Sequence, residues 1–219
     1  PIQCIKLKED DAVVDAFMTL ESDIFIATSG NYGLWFDKED IPVVGVKASG
    51  VKAIKLKDDV VVSVSNFSAD KQEFLLLVTD KGTGKRVKMV EFEKASRAHR
   101  GLLLLREVKT NPYHTVKAFI TNSKEHIGIK TPDINLLKVS EFPIMDRYST
   151  GSTISKHNVV DAFKVAELLT KNNFLIDDNS NDQNPSDIHE NQVEILETAS
   201  DITEKILLES KEETSSPAS

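Results

Sequence analysis

Lys81, Lys85, Arg86 and Lys88 fall within one short stretch, and Arg97, His99 and Arg100 follow close behind. Lys52, Lys55 and Lys57 alternate, so in a strand their side chains share one face. Lys47 precedes them, and Lys138 and Arg147 hold the corresponding places further along. Cations spaced in this way need no catalytic partner to act. They neutralise a line of phosphates and release its counterions. The plain alternative for any one of them is a solvated strand face, the usual fate of Lys. Gly82, Gly84 and Gly101 lie among these cations and would let backbone amides approach a phosphate. Positive-φ turn geometry is the simpler reading of Gly82 and Gly84.

No other chemistry is assembled. The five histidines (99, 114, 126, 157 and 189) have no metal-ligand spacing with one another or with Cys4. The doublets Glu9-Asp10 and Asp58-Asp59 would interest Mg²⁺, but they recur at one place in a repeat and read as exposed turns. There is no Gly-rich loop of the nucleotide-binding type. Tyr32, Tyr113 and Tyr148 have nothing beside them to make a nucleophile, and Trp35 reads as core or partner-facing.

The elements that carry the cations repeat. IFIATSGNYGLWFDKEDIPVVGVKASGVKAIKL surrounds Thr28, FLLLVTDKGTGKRVKMVEFEKASRAHRGLLLL surrounds Thr79, and IGIKTPDINLLKVSEFPIMDRYSTGSTI surrounds Thr131. Each is an apolar run ending in Thr, a turn, and a short stretch closed by an acidic residue and a large apolar one: Asp40-Ile41, Glu91-Phe92, Glu141-Phe142. A glycine (Gly50, Gly101, Gly151) opens the last run of each. A period of about fifty residues marks a propeller-like array. Ile24–Ile26, Phe74–Val78 and Ile127–Ile129 read as strands, and Val60–Val64 and Leu102–Leu105 as further strands buried on both faces. Val13–Phe17 returns verbatim as Val159–Phe163, which makes most of Asn158–Leu169 a strand despite its helical periodicity.

The expected fold class is all-β, a β-pinwheel or propeller-like array of four-stranded blades, three repeats and a partial one, with an acidic and largely disordered tail. The divisions are 1–19 as the end of a preceding blade, 20–67, 68–121 and 122–170 as blades, and 171–219 as linker and tail with one short helix over Gln192–Glu209. The chain opens on PIQCIKLKEDDAVV, which matches Gly50–Val62, and is expected to be a fragment cut inside the array. The formal charge is −8. The tail from Lys171 holds three Lys against twelve Asp and Glu, so the body is close to neutral. A single cysteine excludes internal disulfides and fits an intracellular compartment, and Cys4 stands where Ala53 does, as a small core residue. No run is apolar enough to cross a bilayer, and no signal peptide pattern is present.

Gly50–Val62 (GVKAIKLKDDVVV) and Leu77–Arg86 (LVTDKGTGKR) resemble, in order and spacing, the repeats of the C-terminal β-pinwheel domain of bacterial type IIA topoisomerase A subunits. The resemblance covers about Ile2 to Leu169. The gyrase marker Gln-Arg-Arg-Gly-Gly-Lys-Gly is absent and Ser96–Gly101 is like a decayed copy, so the topoisomerase IV branch is favoured over gyrase. This resemblance implies double-stranded DNA as partner, bound without sequence preference and bent. It tips Lys85-Arg86 and Arg97–Arg100 toward DNA contact. It further implies no cofactor and no catalytic residue in this stretch, and a parent A-subunit homodimer joined to B subunits in a heterotetramer. That parent would be a cytoplasmic, chromosome-associated enzyme that passes one duplex through another. The competing reading is a protein-interaction propeller with no DNA role, docking partners on Trp35 or Phe36.

Overall fold

The computed structural model describes residues 5, 7–9, 11–45, 48–71 and 74–166. Cys4, Lys47 and the whole tail from 171, with its expected helix, lie outside the described residues. The architecture is all-β. The first blade holds β1 (Asp23–Thr28), β2 (Tyr32–Asp37) and β3 (Val61–Phe67). The second holds β4 (Phe74–Thr79), β5 (Thr83–Lys88) and β7 (Thr115–Thr121), and β6 (Leu102–Leu103) lies between the last two in sequence. The third holds β8 (His126–Lys130), β9 (Ile134–Lys138) and β11 (Asp161–Lys164), with β10 (Ser152–Thr153) ahead of β11.

Each sheet is antiparallel, and the first two reach beyond their own repeat. The orders are β3-β1-β2-β6, β10-β5-β4-β7 and β11-β8-β9. The fourth strand of the first two blades is therefore donated by the following repeat: Leu102 and Leu103 pair with Gly33 and Tyr32, and Ser152 and Thr153 with Gly84 and Thr83. The repeating glycine makes this crossing possible. Gly101 (φ 84°) and Gly151 (φ 85°) adopt a left-handed backbone that other residues resist. Each lies directly against a glycine of the accepting strand, Gly33 and Gly84 respectively.

The repeating threonine closes the hairpins. Thr28 and Thr79 Oγ1 accept from the backbone N–H of Tyr32 and Thr83, and Thr131 Oγ1 accepts from Asn135 Nδ2, so one buried hydroxyl satisfies each turn. Between blades the core is continuous. Leu75 and Leu77 of β4 join Phe25, Ala118 and Ile120 on one side, while Leu76 and Val78 join Ile127, Ile129 and Phe142 on the other. This period-two alternation into two cores explains a strand apolar at every position. Each such leucine contributes about 1.5–3 kcal/mol of burial. Phe92 lies in the first of these cores, its ring edge-on to Phe25 at 5.5 Å.

Three expectations are corrected. Leu102–Leu105 is a strand only over its first two residues, and Leu104 and Leu105 then turn into the core. β3 is mostly half-buried, because it is the edge strand of its sheet, paired only with β1 and packed against β7 of the next blade. Val13–Phe17 forms no strand, although its counterpart is β11 over Asp161–Lys164. β3, β7 and β11 each pair with the first strand of their own blade, and Val13–Phe17 has no such partner among the described residues.

Candidate nucleic-acid interface

The cations divide into two groups once the fold is built. Lys85 is fully buried. Its Nζ donates to three backbone carbonyls of the third repeat, Asp146 (3.0 Å), Arg147 (2.7 Å) and Ser149 (2.7 Å). Burial pulls its pKa down to about 8. Arg86 is also buried and donates to the carbonyls of Phe142 and Ser140 and to Ser123 Oγ, with its guanidinium 4.9 Å from the Phe74 ring. The expectation that this pair meets phosphate is corrected: their donors are spent on the loop that the third repeat lays across β5. Gly84, likewise, is extended rather than a positive-φ turn, and the Phe142 ring occupies the place of its Cβ. Gly82 (φ 68°) has the turn geometry expected of it, packed under the carbonyls of Ser155 and His157.

Arg97, Arg100 and Arg147 are half-buried and serve the same purpose. Arg97 donates to the carbonyls of Asp40 (2.9 Å) and Lys52 (2.6 Å). Arg100 donates to the Lys55 carbonyl (3.1 Å), pairs with Asp59 at 2.8 Å and stacks 4.0 Å from the Tyr32 ring. Arg147 donates to the Leu103 carbonyl and lies over Tyr148. Asp59 is therefore no solvent-exposed turn residue: burial raises its carboxyl, Arg100 together with the Thr28 hydroxyl and the Lys57 N–H outweighs that, and the net direction is down.

Lys52, Lys55 and Lys57 are exposed on residues 51–57, an irregular segment with bends at Ile54 and Lys57 and not a ladder strand. That segment is fastened through its own backbone. Ala98 N–H donates to the Ala53 carbonyl (2.6 Å) and Lys55 N–H to the His99 carbonyl (2.9 Å), beside the two arginine bonds above. The arginines thus position a row of free lysines. His99 is exposed next to them, Lys81 is exposed in the β4–β5 turn, and Lys88 is exposed at the end of β5. Lys138 is half-buried at the end of β9, where its N–H donates to the Glu141 carboxylate. Lys47 lies outside the described residues.

A further lock was not legible in the sequence. Lys94 reaches back to the first blade, 2.6 Å from Asp23 and 3.3 Å from Asp37, and lies over the Trp35 ring. Trp35 Nε1 donates to the same Asp23 carboxylate at 2.8 Å. Trp35 is half-buried and Phe36 fully buried, so neither forms an open docking surface.

Residues 2–19, 22–68 and 73–122 match the family described as DNA gyrase C-terminal domain, beta-propeller. The chain belongs to this family. The A subunit of DNA topoisomerase 4 from Bacillus subtilis is 41% identical over 151 residues, covering 68% of this chain and 19% of that protein. The Streptococcus pneumoniae protein of the same name is 33% identical over 78% of this chain and 23% of its own length. The chain thus spans about a fifth of these relatives. Among solved structures, the C-terminal domain of DNA topoisomerase IV superposes with a TM-score of 0.70 at 34% identity, covering 77% of this chain and 57% of that one. The DNA gyrase A C-terminal domain superposes at 0.63 with 19% identity, a likeness of fold.

Proposed function

We propose that this chain binds duplex DNA without sequence preference and bends it, as the C-terminal region of a topoisomerase IV A subunit. The observation that carries the reading is the division of its cations. In a member of this family, arginines and buried lysine stitch one blade to the next, and a set of exposed lysines is left beside these joints. DNA bending needs cations along a rigid curve, with no base contacts. The parent enzyme would be an A-subunit dimer joined to B subunits, acting on the chromosome in the cytoplasm. This stretch would hold the duplex that is to be passed, while cleavage and ATP hydrolysis belong to other parts. Among the described residues no helix is long and apolar enough to cross a membrane.

The test is a fluorescence titration of the 219-residue chain with random-sequence duplex across salt concentration. Affinity is expected to fall linearly on logarithmic axes, with a slope of about −0.9 per phosphate contacted. A folded chain that fails to bind even at low salt would sink the proposal and favour the protein-interaction reading.

A further inference from the structure

Aligned on the glycine that opens each donated run, the three repeats place a cation at one position. Lys55 follows Gly50 by five residues, as Arg106 follows Gly101 and Lys156 follows Gly151. The opening segment has Lys6 at the matching place in sequence. All three described side chains are exposed. They differ from every arginine of the stitching set, because none of the three makes a side-chain hydrogen bond or ion pair among the described residues. The backbones of the first two, in contrast, are fixed alike. Lys55 N–H donates to the His99 carbonyl at 2.9 Å and Arg106 N–H to the Tyr148 carbonyl at 3.0 Å, each in the loop just ahead of the next repeat's glycine.

We infer that Lys55, Arg106 and Lys156 form a phosphate-contacting series, one cation per blade, along which the duplex backbone runs. The inference rests on the DNA-binding reading above and assigns its path. Two of its members, Arg106 and Lys156, fall outside the clusters that the sequence brings to notice. A blade array repeats its backbone from one unit to the next, so a position that recurs in each repeat is well placed to follow a continuous strand of phosphates. The cations of the Lys81–Lys88 stretch do not recur in all three repeats: Lys85 aligns with Leu34, and Lys88, matched by Lys138 in the third repeat, aligns with Asp37 in the first. The position five residues beyond the glycine is basic in all three repeats, and its side chain takes no part in the interblade bonds. In the first two repeats it sits on a segment already held by the neighbouring blade. A cation on a fixed backbone loses less freedom on meeting phosphate, and Arg106 adds a planar fork suited to two phosphate oxygens.

The experiment compares the full chain with the triple variant Lys55→Gln, Arg106→Gln, Lys156→Gln. A control triple, Lys71→Gln, Lys109→Gln, Lys124→Gln, alters three exposed lysines with the same change of charge. The probe is random-sequence duplex, and the readout is the slope of log affinity against log salt. Removing three contacts should make the slope shallower by about 2.7, which is roughly a 500-fold loss at 0.1 M salt. The control should keep most of the native slope. The charge-keeping triple Lys55→Arg, Arg106→Lys, Lys156→Arg should restore it. Trp35 fluorescence in urea verifies that all variants fold alike. If the native chain binds and the site triple keeps its slope, or loses no more than the control, the series is wrong while DNA binding stands. If the native chain does not bind, the underlying reading fails and the series with it.

Discussion

Replacing Asp23 by asparagine removes one charge from the joint between the first two blades and leaves its shape intact. Asp23 is 3% exposed. Its Oδ1 accepts from Trp35 Nε1 at 2.8 Å and lies 2.6 Å from Lys94 Nζ, and its Oδ2 accepts from Ser22 Oγ at 2.7 Å. Burial pushes the carboxyl up, but the Lys94 ammonium and the Ser22 and Trp35 donors outweigh it and hold the pKa at about 2, below the ordinary 3.8. That displacement corresponds to roughly 2.4 kcal/mol of stability. The folded-state pKa is the lower one, so this stability is fully present above 3.8 and is lost as pH falls through about 2. The substituted amide titrates nowhere. The variant should therefore be less stable near neutral pH by about 2 kcal/mol, and the gap should narrow as the wild-type carboxylate takes up its proton. The assay is urea unfolding followed through Trp35, the single tryptophan of the chain. With a slope of ~2 kcal/mol/M the midpoint drops by about 1 M. Unchanged midpoints at neutral pH, or a gap that stays constant as pH falls from 3.8 toward 2, would refute the lock.

The glycines give a paired test read by thermal unfolding. Gly101→Ala puts a Cβ into the Gly33 carbonyl at φ 84° and should cost more than about 3 kcal/mol, whereas Gly50→Ala at φ 77°, with open space around it, should cost about 1 kcal/mol of backbone strain. Lys85→Met leaves three carbonyls without their donor and should cost about 3 kcal/mol near neutral pH while the salt slope of DNA binding stays native. Burial has lowered the folded-state pKa of Lys85 to about 8 from 10.5, so folding releases its proton between those values and wild-type stability relative to Lys85→Met should rise there, as paired urea titrations would show. Deleting residues 171–219 removes a net charge of −9 and should raise DNA affinity at low salt, with unchanged affinity excluding a tail that competes for the cations.

The repeat period, the strands β1, β4 and β8, and the threonine turns were legible because each is a local pattern. The strand exchange was not. Leu102-Leu103 and Ser152-Thr153 are too short for periodicity to identify, and their partners lie about seventy residues away in sequence. The burial of Lys85 and Arg86 was missed for a related reason. Their composition signals solvent, yet their repeat positions are those of Leu34 and Trp35, one fully buried and the other half-buried. Alignment between repeats held that signal, whereas counting charges within one repeat concealed it. The same alignment brings out Arg106 and Lys156.

The two short matches that identify the family therefore differ in what they do: Gly50–Val62 carries the exposed Lys52, Lys55 and Lys57, whereas Leu77–Arg86 supplies residues that hold the blades together. Lys85 and Arg86 belong to the match at Leu77–Arg86, and the structure uses both to hold the next repeat's loop. Such a role demands a fixed residue at a fixed place, since a buried donor must meet carbonyls 2.7–3.1 Å away. Contact with a phosphate chain demands much less. Either Lys or Arg supplies the neutralising charge, and a shift of one residue along an exposed segment keeps that charge near the duplex. A constraint that weak leaves little trace within one repeat and becomes visible only when the blades are laid over one another. In this chain that comparison leaves one position, five residues beyond each crossing glycine, that is both basic throughout and free.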